Sequence, residues 1–191
     1  MRLRLTASLL LGLLLALLAL PALAAEPREE LKAAWAKFIG LESFRAEVRG
    51  KGGAVPTARM SFRAPDRFRI EIENAPGMII IGNTAYMNMG AGWMNVPVPV
   101  SELTGKYRDE SVLAKADQMQ VEALGEDTLD GEPVRKYRYT TPESPDTRQV
   151  AWISQESGYV LQIEVDAKDG EDVLIRYRDF NDPGIRIEAP R

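Results

Sequence analysis

The chain contains no cysteine and no histidine. Without thiolate or imidazole it cannot build a Ser-His-Asp triad, a cysteine nucleophile, or a zinc site ligated by His or Cys. The chemistry left to it is that of carboxylates, lysine and hydroxyls, or binding without chemistry. No disulfide can form either, so the fold rests on packing alone, which a chain of 191 residues permits. A surplus of positive charge is also missing: 24 Lys and Arg stand against 28 Asp and Glu, a net charge of −4. An acidic balance argues against a nucleic-acid partner, whose binding depends on neutralising phosphates. Repeats and low-complexity tracts are lacking. Neither a cofactor nor a metal is expected, and no constellation of residues reads as catalytic.

What is present begins with a leader. Arg2 and Arg4 form a basic start, Leu5 to Leu20 is a leucine-dominated apolar run, and Pro21-Ala22-Leu23-Ala24 ends in an A-x-A site. The pattern is that of a secretory signal peptide over 1–24, cut after Ala24, with 25–191 as a single exported domain of net charge −6 once Arg2 and Arg4 are gone. No Cys follows the apolar run, so the lipobox of a bacterial lipoprotein is missing. A soluble, monomeric, periplasmic product is expected.

Beyond the leader one helix opens the domain. Pro27 suits its first turn, Glu26, Glu29 and Glu30 favour its positive N-terminus, and Leu31, Trp35, Phe38 and Ile39 recur at helical spacing before Gly40. The period then switches to two. Phe44, Ala46 and Val48, then Ala58, Met60 and Phe62, then Phe68, Ile70 and Ile72 alternate with charged or polar residues, as in strands with one apolar and one solvated face. Met78 to Ile81 is apolar throughout, Gly82-Asn83 marks a turn, and Ala85, Met87 and Met89 continue the pattern toward Trp93 around Gly90-Ala91-Gly92. Pro97 and Pro99 break the rhythm, and Ser111 to Gln118 reads as a short helix with Val112, Leu113 and Ala116 on one side, within a mobile crossover or lid. Strands resume from Val121 to Phe180, punctuated by Asp130-Gly131, Ser157-Gly158 and Asp169-Gly170. The expected fold is mainly β with a little helix (α+β), about nine to eleven antiparallel strands in a meander. Such a meander closes into a barrel, pairs into a sandwich, or curls around something that fills its hollow.

The order of elements resembles a known plan. Its signatures here are Phe62-Arg63-Ala64-Pro65-Asp66-Arg67-Phe68, Ile81-Gly82-Asn83-Thr84-Ala85-Tyr86-Met87, Gly92-Trp93-Met94, Trp152-Ile153 before Ser157-Gly158, and Tyr177-Arg178-Asp179-Phe180-Asn181-Asp182-Pro183. Together they resemble the LolA/LolB-like superfamily of outer-membrane lipoprotein-sorting proteins and the related mycobacterial lipid-binding lipoproteins. The resemblance implies an antiparallel, unclosed half-barrel with an N-terminal helix and a short lid helix in its mouth. It also implies a carrier that shelters acyl chains of lipids or lipoproteins across the periplasm, with transient contacts to membrane proteins. In the lipoprotein carrier of that superfamily an Arg precedes the strand-turn Pro and helps latch the lid; here that place belongs to Ala64, with Arg63 one residue away. The alternative reading is a sensor or adaptor with the same domain, docking on an envelope protein without lipid.

For the carrier, the expected apolar cavity is lined by Trp35, Phe38, Met87, Met89 and Leu113, with Trp93 and Met94 beside the lid. Flexible thioethers suit varied apolar ligands. Phe44, Phe62, Phe68, Ile70, Leu161 and Ile163 face inward as core residues first and ligand contacts second. Glu71 and Glu73 share a strand face with Arg67 and Arg69, a solvated charge ladder rather than an acid-base pair. Arg135, Lys136, Arg138, Arg176 and Arg178 offer either a basic edge for anionic lipid headgroups or ordinary strand solvation.

Overall fold

The computed structural model describes residues 26–53, 55–100, 111–166 and 172–190. The leader over 1–24, the middle of the crossover at 101–110 and the Asp169-Gly170 turn lie outside the described residues.

Helix α1 (Pro27–Ile39) opens the described chain, with Pro in its first turn, Glu29 and Glu30 at its positive end, and Gly40 closing it through an N–H bond to the Ala36 carbonyl. Eleven strands follow: β1 (Ser43–Gly50), β2 (Ala58–Arg63), β3 (Arg67–Ile72), β4 (Met78–Ile81), β5 (Thr84–Asn88), β6 (Trp93–Val96), β7 (Gln120–Leu129), β8 (Glu132–Thr141), β9 (Ser144–Ser154), β10 (Val160–Asp166) and β11 (Val173–Arg178). Between β6 and β7 lie a one-turn helix, α2 (Ser111–Lys115), and a 3-10 turn over Ala116–Gln118.

The strands form one antiparallel sheet in the order β6-β5-β4-β3-β2-β1-β11-β10-β9-β8-β7. The first and last strands in this order do not pair, so the barrel is unclosed. Only the β1–β11 contact at mid-sheet joins strands distant in sequence; every other neighbour is a hairpin partner, which is why dipeptide turns dominate the sequence. At the β7–β8 turn Asp130 and Gly131 both have positive φ, 52° and 90°, the twist that a two-residue hairpin requires.

Register sorts the side chains onto two faces. On the inner face Phe44, Phe62, Phe68, Ile80, Ala85 and Val96 stand opposite one another in succession from β1 to β6. All but Val96 in this row are buried. Their aromatic members form a chain with α1: Trp35 meets Phe38 edge-on at 5.8 Å, Phe38 lies 4.9 Å from Phe44, Phe44 5.1 Å from Phe62, and Phe62 5.0 Å from Phe68. Tyr177 of β11 joins at 4.9 Å from Phe38. Helix α1 fills the hollow by packing on β7 and β10, burying Leu31, Ala34 and Phe38.

The outer face holds a second, smaller core that the sequence reading did not foresee. Ile79 is buried there with Ile185 and Ile187, flanked by Ile81, Tyr86 and Trp93. The segment after β11 therefore runs back across the outer face as a strap. Arg45 Nη1 holds it 2.7 Å from Asp179 Oδ2 and 3.4 Å from Asp182 Oδ2, Ser43 Oγ donates to the Asp182 carbonyl, and Arg67 Nη1 donates to the Ile187 carbonyl.

Candidate functional site: a methionine row on the inner face

Beside the phenylalanine row runs a second inner row, Ala46, Met60, Ile70, Met78, Met87 and Met94, each opposite the next across β1 to β6. Burial falls along it. Ala46 and Met60 are buried, Ile70, Met78 and Met87 are half-buried, and Met94 is 59% exposed. Met89, just past β5, is 56% exposed, and Ile72 at the end of β3 is 39% exposed. These three are the exposed large apolar side chains among the described residues. The row thus leads from the core to solvent without a polar interruption. Ile70 and Met78 pack directly on the same cluster that contains Phe44, Phe62 and Phe68.

The local reason is the pleat. Alternation on β3 to β5 puts Ile70, Met78 and Met87 on one side and Arg69, Ile79 and Tyr86 on the other. Trp35 of α1 packs against the inner core, as do Val98 and Val100 of the chain leaving β6. Ala116 and Met119 of the crossover are buried in it as well.

The expected lining residues divide by position. Ile70, Met87 and Met94 are in the row, Met89 is at its exposed end, and Trp35 packs at the edge of the core. Phe38, Phe44, Phe62, Phe68 and Ile163 are buried core, leaving little surface for a ligand. Leu113 is half-buried on α2. Two expectations are corrected. Trp93 pairs with Asn88 and lies on the outer face against the Ile79 cluster, because the turn after Met89 resets the parity of the next strand. Leu161 falls at a bulge where the β9–β10 register slips between Val160 and Gln162, so Val160 is the fully buried residue and Leu161 is half-buried. Sequence reasoning left Met78 and Ile72 out of the lining set, although Met78 shares the side of Ile70 and Met87 by register.

Two further hollows among the described residues are of mixed polarity and carry charged side chains. A cleft of about 330 Å³ between α1 and β8–β9 is lined by Glu30, Lys37, Arg135, Tyr137 and Ser154. Its charges are already matched: Arg135 Nη1 lies 2.9 Å from Glu30 Oε1, the Tyr137 hydroxyl donates to Glu30, and Lys37 Nζ donates to the Ser157 carbonyl at 2.8 Å. Burial, together with the Glu30 carboxylate, pushes the Tyr137 phenol up to about 12. Tyr139, fully enclosed on the next inner position of β8, is pushed up further by burial. On the outer face a groove of about 390 Å³ runs among Glu47, Arg49, Leu174, Arg176 and Arg178.

The supposed basic edge is neutralised residue by residue. Lys136 pairs with Asp127, Arg138 with Glu122, Arg176 with Asp130 and Arg178 with Asp179. Glu71 faces Arg59 across β2–β3, as a charge ladder requires. Among the described residues no group of three Asp or Glu side chains is placed to hold a metal ion, and no helix is long and apolar enough to cross a membrane. The methionine row offers an adaptable apolar surface and no nucleophile.

No protein-family model matches the chain, and neither does any curated protein. Solved structures do. Lipoprotein LppX of Mycobacterium tuberculosis superposes with a TM-score of 0.67 at 18% identity, over 84% of this chain and 97% of that one. LprF from Mycobacterium bovis gives 0.65 at 17% identity, over 87% and 98%. The MucA/MucB complex of Pseudomonas aeruginosa gives 0.51 at 13% identity, over 82% of this chain and 56% of that one. At these identities the likeness is one of fold alone.

Proposed function

We propose, from the resemblance to LolA-like proteins and the fold shared with LppX and LprF, that this protein is a periplasmic carrier that binds acyl chains of lipids or lipoproteins in the hollow of its sheet and shuttles them across the envelope. One observation carries the reading: the inner row from Met60 to Met94 extends the core into solvent as a continuous strip of thioether and aliphatic surface. Each methylene transferred from water onto such a surface contributes about 0.8 kcal/mol, so part of one acyl chain suffices for useful affinity. Methionine fits chains of differing length and unsaturation better than branched side chains do, because its three rotatable bonds repack at little cost. The paired charges of the other hollows and the lack of His and Cys favour a binder over an enzyme. The leader-like residues 1–24 support export, and the cargo would be handed on in transient contacts by a monomer.

The test is native mass spectrometry with lipid extraction on protein prepared from periplasm without detergent. Acylated cargo at near-stoichiometric amount is the expected result. A bare mass that stays bare after incubation with lipid overturns the reading. It would favour the second one, a module that docks on an envelope protein, for which the fold likeness to MucB in its complex with MucA is the supporting observation.

A further inference from the structure

Among the described residues one buried side-chain polar atom has no hydrogen-bond partner, the indole Nε1 of Trp35. Its place on α1 is informative. At about 3.6 residues per turn, Leu31, Ala34 and Phe38 form the stripe that enters the core, and all three are buried. Glu30 and Lys37 sit on the flank toward β8–β9, where Glu30 meets Arg135 and Lys37 reaches the Ser157 carbonyl. Trp35 is on the opposite flank, shared with Lys32, whose ammonium lies 3.1 Å from Asp117 in the crossover. The indole therefore lies on the side of α1 toward the crossover, packed on the inner core and edge-on to Phe38.

An unpaired N–H in such a place is costly, and Trp buried in proteins ordinarily finds an acceptor. Phenylalanine would fill the same hollow without that cost. We propose that the Trp35 Nε1–H is the polar anchor of the cargo, donating to an acyl carbonyl oxygen at the head of a chain whose methylenes lie along the methionine row. The inference rests on the carrier reading and adds a chemical requirement to it: the ligand is an acyl ester or amide, not a bare hydrocarbon or an ether lipid. Such carbonyls come from glycerolipid esters or from the acylated N-terminus of a lipoprotein.

The test compares a diester phosphatidylglycerol with its diether analogue of equal chain length, by native mass spectrometry of wild-type protein and of Trp35→Phe. The wild type is expected to favour the diester by about five- to tenfold, the factor one hydrogen bond contributes. In Trp35→Phe the diester-to-diether ratio is expected to fall to about one, whatever the absolute affinity for either lipid, and the unfolding midpoint is expected not to fall, since the variant buries no unpaired N–H. A triacylated lipopeptide run in parallel identifies the source, since the cargo whose binding weakens on losing the donor is the one anchored. Should the variant fold poorly, the ¹⁵N indole resonance of Trp35 in the wild type serves instead, shifting with diester and not with diether. Equal uptake of both lipids, the result expected if a bound water satisfies the indole, overturns the anchor alone. Uptake of neither lipid nor lipopeptide overturns the carrier reading and the anchor with it.

Discussion

Met87 stands directly opposite Met94 across the β5–β6 ladder, and on its other side opposite Met78. Three thioethers thus adjoin at the unpaired end of the sheet, where burial gives way to exposure. Because Met87 is only half-buried, a change there tests binding with little effect on the core. Met87→Glu places a charge where an acyl chain would lie, a position in which a carboxylate is poorly compensated. Lipid co-purification is expected to fall at least about tenfold, with a stability change under about 1 kcal/mol. Full lipid occupancy in this variant, read by native mass spectrometry, would show that the cargo lies elsewhere.

Trp93 provides the opposite-face control. It packs with Ile79, Ile185 and Ile187 beneath the strap. Trp93→Ala is expected to lower stability by about 1–3 kcal/mol, less than a fully buried aromatic would because Trp93 is half-buried. Lipid occupancy should be unchanged, and a parallel loss of both would mean that the two faces are not independent.

Phe62 touches both Phe44 and Phe68 and is almost fully enclosed. Phe62→Ala should cost about 3–5 kcal/mol, measured as a shift of the urea midpoint at unchanged slope. A cost near zero would mean that the inner core is loose enough to collapse around the missing ring.

Alkaline titration should unfold the protein through its enclosed phenols. Tyr137 is pushed from 10.0 up to about 12. Above pH 10 the unfolded chain releases this proton while the folded chain keeps it, so the unfolded state binds fewer protons and stability falls as pH rises. The loss approaches about 1.4 kcal/mol per pH unit per phenol and, for Tyr137, levels off once pH passes about 12. Tyr139 shifts in the same direction and extends the decline. Tyr137→Phe should flatten the slope between pH 10 and 12 in denaturation curves; an unaltered slope would assign the decline to other groups.

The strap depends on Arg45. Asp179 raises the Arg45 guanidinium above its usual value, chiefly through their hydrogen bond. Arg45→Met leaves both carboxylates without this partner and should accelerate amide exchange over 181–187. The stability cost should be roughly 1 kcal/mol, since the pair is partly exposed. Exchange unchanged from wild type would mean that the Ile185 and Ile187 contacts hold the strap without the ion pair.

Much of this architecture was legible in the sequence, for a definite reason. Two-residue alternation along Phe44–Val48, Ala58–Phe62 and Phe68–Ile72 identifies both the strands and their inner faces, because each is unbroken from turn to turn. Parity does not survive a loop. Four residues separate Asn88 from Trp93, and nothing in them says whether Trp93 resumes on the face of Met87 or of Tyr86. Leu161 fails through a bulge, which adds a residue to one strand without any glycine or proline to announce it. The strap had a signal, Ile185 and Ile187 alternating with Arg186 and Glu188, but a short apolar pair after the last strand does not reveal which surface receives it. The pairing of β1 with β11 is likewise a non-local choice, made by the curvature of the whole sheet. Ala64 is a case where sequence and structure agree: it packs on the inner core while Arg63 faces Ser43 and Arg67 on the outer side, so the guanidinium is turned away from the mouth.

The missing β6–β7 pairing also fixes how the sheet can deform. A closed ring of strands has its girth dictated by strand number and stagger. An arc with two loose ends obeys no such condition: it can flex like a clasp, opening its radius of curvature while every ladder bond stays made. Its calibre is then an elastic property, set by how firmly α1 wedges the hollow and how tightly the strap cinches the back of β1 to β5, so on the carrier reading the bulk of a cargo would be met by bending rather than by breaking anything.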